Sequence, residues 1–130
     1  MIGIVIVAHG GLAREYLAAM QHVVGPQPGI VAISIEADHD RDAKQAEITN
    51  AADQVDVGDG VVVVTDLFGG SPSNLSLRAC APQDRRILYG ANLPMLIKLA
   101  KSRHLPIADA VRQAMEAGRK YINAQNVTLD

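Results

Sequence analysis

The stretch Ile2–Gly11, IGIVIVAHGG, constrains this chain more than any other. Seven apolar or small residues run almost unbroken into a lone histidine and then two glycines. A strand with apolar residues on both faces must be covered on both sides, and that is the situation of a central strand in a parallel sheet. Such a strand delivers His9 to the carboxyl edge of the sheet, where ligands bind in open α/β folds.

The rest of the chain repeats the pattern. Leu12–Val24 has Leu12, Tyr16, Met20 and Val24 on one helical face and stops at Gly25-Pro26. Ile30–Ile35 is a second β-branched strand. Asp38-His39-Asp40 then leads into a helix over Arg41–Val55. The third strand, Val61–Thr65, runs into Asp66-Leu67-Phe68-Gly69-Gly70-Ser71-Pro72. Ser71 is expected as an N-cap and Pro72 as the first residue of a helix reaching about Cys80. Arg86–Tyr89 reads as a fourth strand. Leu93-Pro94 opens a fourth helix, and Pro106 a fifth with Ile107, Val111, Ala114, Gly118 and Ile122 on one side. Asn126–Leu129 is a candidate short edge strand. Alternation of strands and helices predicts an α/β fold: a three-layer, doubly wound, mostly parallel sheet. The flavodoxin-like order 2-1-3-4 makes the strand ending in His9 and the strand ending in Asp66 neighbours at the switch point.

Composition removes several function classes. The formal net charge is −2, so no broad basic face points to nucleic acid. Runs such as Ile4–Ala8 and Val61–Val64 fall far short of the ~20 residues of a spanning helix. The N-terminus lacks a basic region, so no signal peptide is expected. A single cysteine, Cys80, permits no internal disulfide and fits a cytoplasmic location. His22, His39 and His104 show no zinc spacing and are read as surface residues, and neither a metal nor a cofactor is expected. Gly-x-Gly-x-x-Gly, the Walker lysine pattern and Gly-x-Ser-x-Gly are all missing.

What remains is the crevice. Gly10, Gly11, Gly69, Gly70 and Ser71, with the start of the third helix, would offer backbone N–H groups to an anion such as phosphate. A neutral imidazole is a competent nucleophile, and an acid such as Asp66 at Nδ1–H fixes the tautomer that frees Nε2. A histidine beside an anion site suggests phosphoryl transfer through phosphohistidine. Asp66 as a turn residue, Ser71 as a cap alone and His9 as a metal ligand are the other readings of the same residues.

AHGG after the first strand, TDLFGGSPSN after the third and GANLPML after the fourth together resemble the IIA domain of the mannose family of the bacterial sugar phosphotransferase system (PTS). The likeness runs from Ile2 to about Ile122, and the expected domain spans 1–130. It implies that His9 is phosphorylated, that Asp66 hydrogen-bonds its imidazole and that Ser71 lies at the phosphoryl site. It also implies a donor, the histidine phosphocarrier protein HPr, an acceptor IIB component, and a homodimer that exchanges C-terminal strands. Phe68 stands where the family often has tryptophan. Two functions are expected. The first is a cytoplasmic phosphohistidine carrier, and the second a stand-alone regulatory module whose His9 phosphorylation state controls binding to a target protein.

Overall fold

In the computed structural model, which describes residues 1–130, a four-stranded parallel sheet runs through the middle of the chain. Its strands are β1 (Gly3–His9), β2 (Ile30–Ile35), β3 (Val61–Thr65) and β4 (Arg85–Leu88), in the order β2-β1-β3-β4. The helices are α1 (Leu12–Val24), α2 (Arg41–Val55), α3 (Ser71–Ser76), α4 (Leu93–Lys101) and α5 (Ile107–Lys120), with a 3-10 turn at Arg78–Cys80.

The apolar runs of β1 and β3 divide by parity. Ile2, Ile4, Ile6, Ala8, Val62 and Val64 meet Met20, Leu96, Leu99 and Ala114 of α1, α4 and α5. Val5, Val7, Val61 and Val63 meet Ile48, Ala52, Val55 and Leu75 of α2 and α3. Side chains alternate across a strand, so a strand buried on both faces needs apolar residues at every position. Gly3 is the exception: a Cβ there would come within 2.6 Å of Val55 Cγ2, so the glycine lets α2 lie directly on β1. Gly118 does the same between α5 and α4, where a Cβ would meet Met95 at 3.1 Å.

Several local expectations are corrected. β4 begins at Arg85, one residue early, because the buried Arg85 enters the ladder opposite Val61. α3 stops at Ser76, where the Ser76 hydroxyl donates to the Pro72 carbonyl at 2.6 Å and competes with the helical ladder. The cap of α3 is Gly70 and not Ser71, and no side chain caps it. Leu12 is partly exposed while Ala13 takes the buried position. Ile122 lies beyond α5 and is exposed. The tail Asn126–Leu129 forms no strand and stays exposed, so β4 is left as an open edge. No helix is long and apolar enough to cross a membrane.

Candidate functional site

β1 and β3 pair with Val7 opposite Thr65, so His9 and Asp66 emerge side by side just past the ladder. Asp66 Oδ2 accepts the backbone N–H of His9 at 3.0 Å and lies 2.7 Å from its imidazole Nδ1. A carboxylate only accepts, so the nitrogen that faces it carries the proton. In the neutral ring Nε2 is then the bare nitrogen. The His9 side chain is 50% exposed and that of Asp66 only 8%, so the acid lies beneath and the imidazole above. Burial pushes the Asp66 carboxyl up, but the two His9 hydrogen bonds and the histidine's charge outweigh it and leave Asp66 below its usual range. Its second oxygen, Oδ1, is buried with no hydrogen-bond partner.

The turn after β3 closes over this ring. Gly69 has φ +86°, a left-handed conformation that favours glycine. Gly70 is in ordinary extended backbone and is needed for a different reason. A Cβ on it would lie 3.2 Å from His9 Cε1 and 3.6 Å from Nε2. The missing side chain therefore keeps the Cε1–Nε2 edge of the imidazole open. Ser71 is exposed and faces the same cleft of about 390 Å³ as His9 and Gly10.

The glycines after His9 divide their roles. The Gly10 N–H donates to the Ile35 carbonyl at 3.0 Å, so it ties β1 to β2 and is not free for an anion as the sequence suggested. Gly10 also needs its positive φ of 54°. Gly11 caps α1, with its carbonyl accepting from Glu15 N–H at 3.2 Å.

Three neighbours escaped the sequence reading. The Tyr16 hydroxyl donates to the Ala91 carbonyl at 3.0 Å, and burial first, then the Asp66 charge, push its pKa up. Its i+4 spacing from Leu12 marks it as core, and the fold adds its proximity to the Asp66 charge. Arg14 Nη2 lies 3.5 Å from the position a Gly11 Cβ would occupy, which puts a cation at the mouth of the crevice. His39 is not a simple surface residue: it is half-buried and lines the cleft with His9, whereas His22 and His104 are exposed. No group of three or more His, Cys, Asp or Glu gathers in metal-binding geometry.

In the turn that carries Gly70, Leu67 and Phe68 stand exposed, Phe68 at 77%. The Phe68 ring packs edge-on against Tyr89, with centroids 5.0 Å apart. The half-exposed imidazole thus opens onto the same surface as these exposed apolar side chains.

A family model described as "PTS system fructose IIA component" matches residues 3–116. The mannose-specific EIIAB component of the PTS of Escherichia coli (strain K12) is 26% identical over 126 residues, covering 95% of this chain and 39% of that protein. The chain thus spans about two-fifths of the length of that curated relative. Among solved structures, phosphotransferase system component EIIA from Streptococcus agalactiae is 28% identical with a TM-score of 0.80, covering 95% of this chain and 97% of that one. The mannose/sorbose-specific IIA subunit from Enterococcus faecalis superposes with a TM-score of 0.86 at 24% identity, covering 98% and 97%, and shares the fold.

Proposed function

This chain belongs to the family of PTS system fructose IIA components, and from that premise we propose that it carries a phosphoryl group on His9 Nε2 between two proteins of the sugar phosphotransferase system. The donor is phosphorylated HPr and the acceptor a IIB component, both in the cytoplasm. The observation that supports this most is the 2.7 Å contact between Asp66 Oδ2 and His9 Nδ1, which leaves Nε2 bare at the surface.

The exchange balances simply. The Nε2 lone pair forms an N–P bond in line with the departing nitrogen of the donor. The donor's P–N bond breaks, and its electron pair returns to the donor imidazole. The His9 ring gains positive charge as the bond forms, and the Asp66 carboxylate beneath Nδ1–H stabilises it. Asp66 keeps no proton of its own, in line with its lowered pKa. Handing the group on to the acceptor reverses the same steps. Ser71 and the amides of Gly11, Gly69 and Gly70 surround the place where the phosphoryl oxygens come to lie. Exposed Leu67 and Phe68 supply apolar contact to the docking partner.

The open edge of β4 supports a homodimer. An apolar groove of about 270 Å³ runs beside it, lined by Ile87, Tyr89, Met95, Met115 and Ile122. The exposed tail of a second copy, with Val127 and Leu129, has the composition to add a strand there.

Incubation with radiolabelled phosphorylated HPr tests the carrier role. The protein takes up label and His9→Ala takes up none. Label that survives His9→Ala overturns the assignment.

A further inference from the structure

We propose that His39, tethered in the cleft beside His9, is a positioning residue that grips the phosphoryl group carried on His9 when its own ring is protonated, an inference that rests on the carrier reading above. It makes retention of the phosphoryl group depend on pH.

His39 belongs to the short loop between β2 and α2. That loop leaves the sheet next to the nucleophile, because His9 pairs with Ile35 and Gly10 N–H is bonded to the Ile35 carbonyl. The loop is held at both ends. His39 N–H donates to the Glu36 carbonyl at 3.4 Å, and Asp40 caps α2 by accepting from Ala43 N–H at 3.1 Å. The imidazole is held as well, with Nδ1 2.8 Å from the same Glu36 carbonyl. A carbonyl only accepts, so Nδ1 carries a proton and Nε2 is the nitrogen left for other work. The cleft of about 390 Å³ takes one wall from His9, one from Ser71 and one from Glu36 and His39.

Charge decides what that nitrogen does. A phosphoryl group brings about −1.5 to −2 charges into the cleft. The surroundings are already acidic. Asp66 lies under His9, Glu36, Asp38 and Asp40 flank His39 in its loop, and Asp42 is in the first turn of α2 beside Arg41. α3 contributes no charged residue, and Arg14 of α1, beside Gly11, is the cation at the mouth of the crevice. Imidazole changes its charge between about pH 5 and 8. Protonated, His39 keeps its bond to Glu36 through Nδ1–H and offers Nε2–H to a phosphoryl oxygen. Deprotonated, Nε2 turns a lone pair to the dianion. Linkage is reciprocal, so the phosphoryl group on His9 raises the proton affinity of His39, and protonation of His39 holds the phosphoryl group on His9.

The test is the phosphotransfer equilibrium with HPr at about pH 6 and about pH 8. It compares the full chain with His39→Ala and with His39→Gln, which keeps a neutral donor. Taking the ratio to each variant cancels the titration of HPr and of the phosphoryl group itself. The ratio is expected to favour the phosphorylated wild type by about fivefold or more on going from the higher to the lower pH. The His39 ring signals in NMR are expected to titrate at higher pH once His9 is phosphorylated. Normal labelling of His9 with a ratio equal at both pH values overturns the role of His39 alone. An unmoved His39 titration does the same. Absence of label in wild type and variants alike overturns the carrier reading and this inference with it.

Discussion

The pairing of His9 with Asp66 is a question of one proton. With Asp66 Oδ2 at 2.7 Å, the ring is held in the Nδ1–H tautomer, and positive charge on it is met by a carboxylate whose pKa lies below its usual range. Asp66→Asn retains a hydrogen-bond acceptor of the same shape and removes the charge. Phosphoryl transfer from HPr is expected to slow by at least about tenfold with an unchanged thermal unfolding curve, since the same exchange in catalytic triads costs far more. Transfer at the wild-type rate would contradict the electrostatic role. Gly70→Ala probes the opposite side of the ring. Its backbone is unstrained for alanine, but the added methyl meets His9 Cε1 at 3.2 Å. Slower transfer is expected with near-normal stability, measured by the same assay alongside urea unfolding. The meeting of His9 with Asp66 was legible in the sequence because the one ends, and the other directly follows, a strand of unmistakable pattern. His39 was not. Its place follows from how the five-residue connection from Glu36 to Asp40 turns, and a pattern of apolar residues carries nothing about that. The Gly10 amide misled for a related reason: a glycine after a strand end looks free until the neighbouring strand claims its N–H.

Whole elements were read more reliably than their ends. β2, β3, α1 and α2 begin and end where hydrophobic period, Gly25-Pro26 and the Asp40 cap predict. The turn into α3 was right in position and wrong in detail. Pro72 lies in the first turn, yet Ser71 is already helical, the cap is Gly70 and the helix lasts only six residues. The tail was expected as an edge strand and lies exposed, because a strand needs a ladder partner and the single chain folds none onto β4. That partner is available if the edge belongs to a dimer. Sedimentation equilibrium is expected to give twice the chain mass for the full protein and the chain mass after deletion of Asn123–Asp130. A truncated protein that stays dimeric would place the interface elsewhere, and a monomeric full chain would remove the strand exchange altogether.

Across the molecule, two apolar clusters on either side of one sheet were legible from the strands alone, because apolar residues at successive positions can only mean two covered faces. The polar fastening of the layers was not legible, since nothing in a run of charged residues marks which arginine goes inside. Arg85, with a side chain only 6% exposed, joins three elements. It donates to the Ala79 carbonyl at 2.9 Å, to Asp53 Oδ1 at 2.8 Å and to Asp56 Oδ2 at 3.2 Å. Arg103 plays a similar part at the other end of the sheet, donating to the Ile2 carbonyl at 2.7 Å and the Gly29 carbonyl at 3.2 Å. The Arg85 fastening makes stability depend on acid. The Gly58 N–H, and then Arg85, hold the Asp56 carboxyl below its ordinary 3.8 against the opposing effect of burial. A depressed carboxyl contributes stability that is fully present above its unfolded pKa and is lost as pH falls through the folded one. Asp56→Asn keeps the acceptor for Gly58 and gives up the charge facing Arg85. At neutral pH it is expected to destabilise the chain by about 1–2 kcal/mol, the scale of a charge-assisted hydrogen bond. Below 3.8 the wild-type carboxyl progressively takes up a proton and loses the same advantage, so the two proteins converge. Urea midpoints measured at neutral pH and again well below 3.8 decide the matter, because a gap that persists unchanged into acid would show that Asp56 acts through shape and not through its charge.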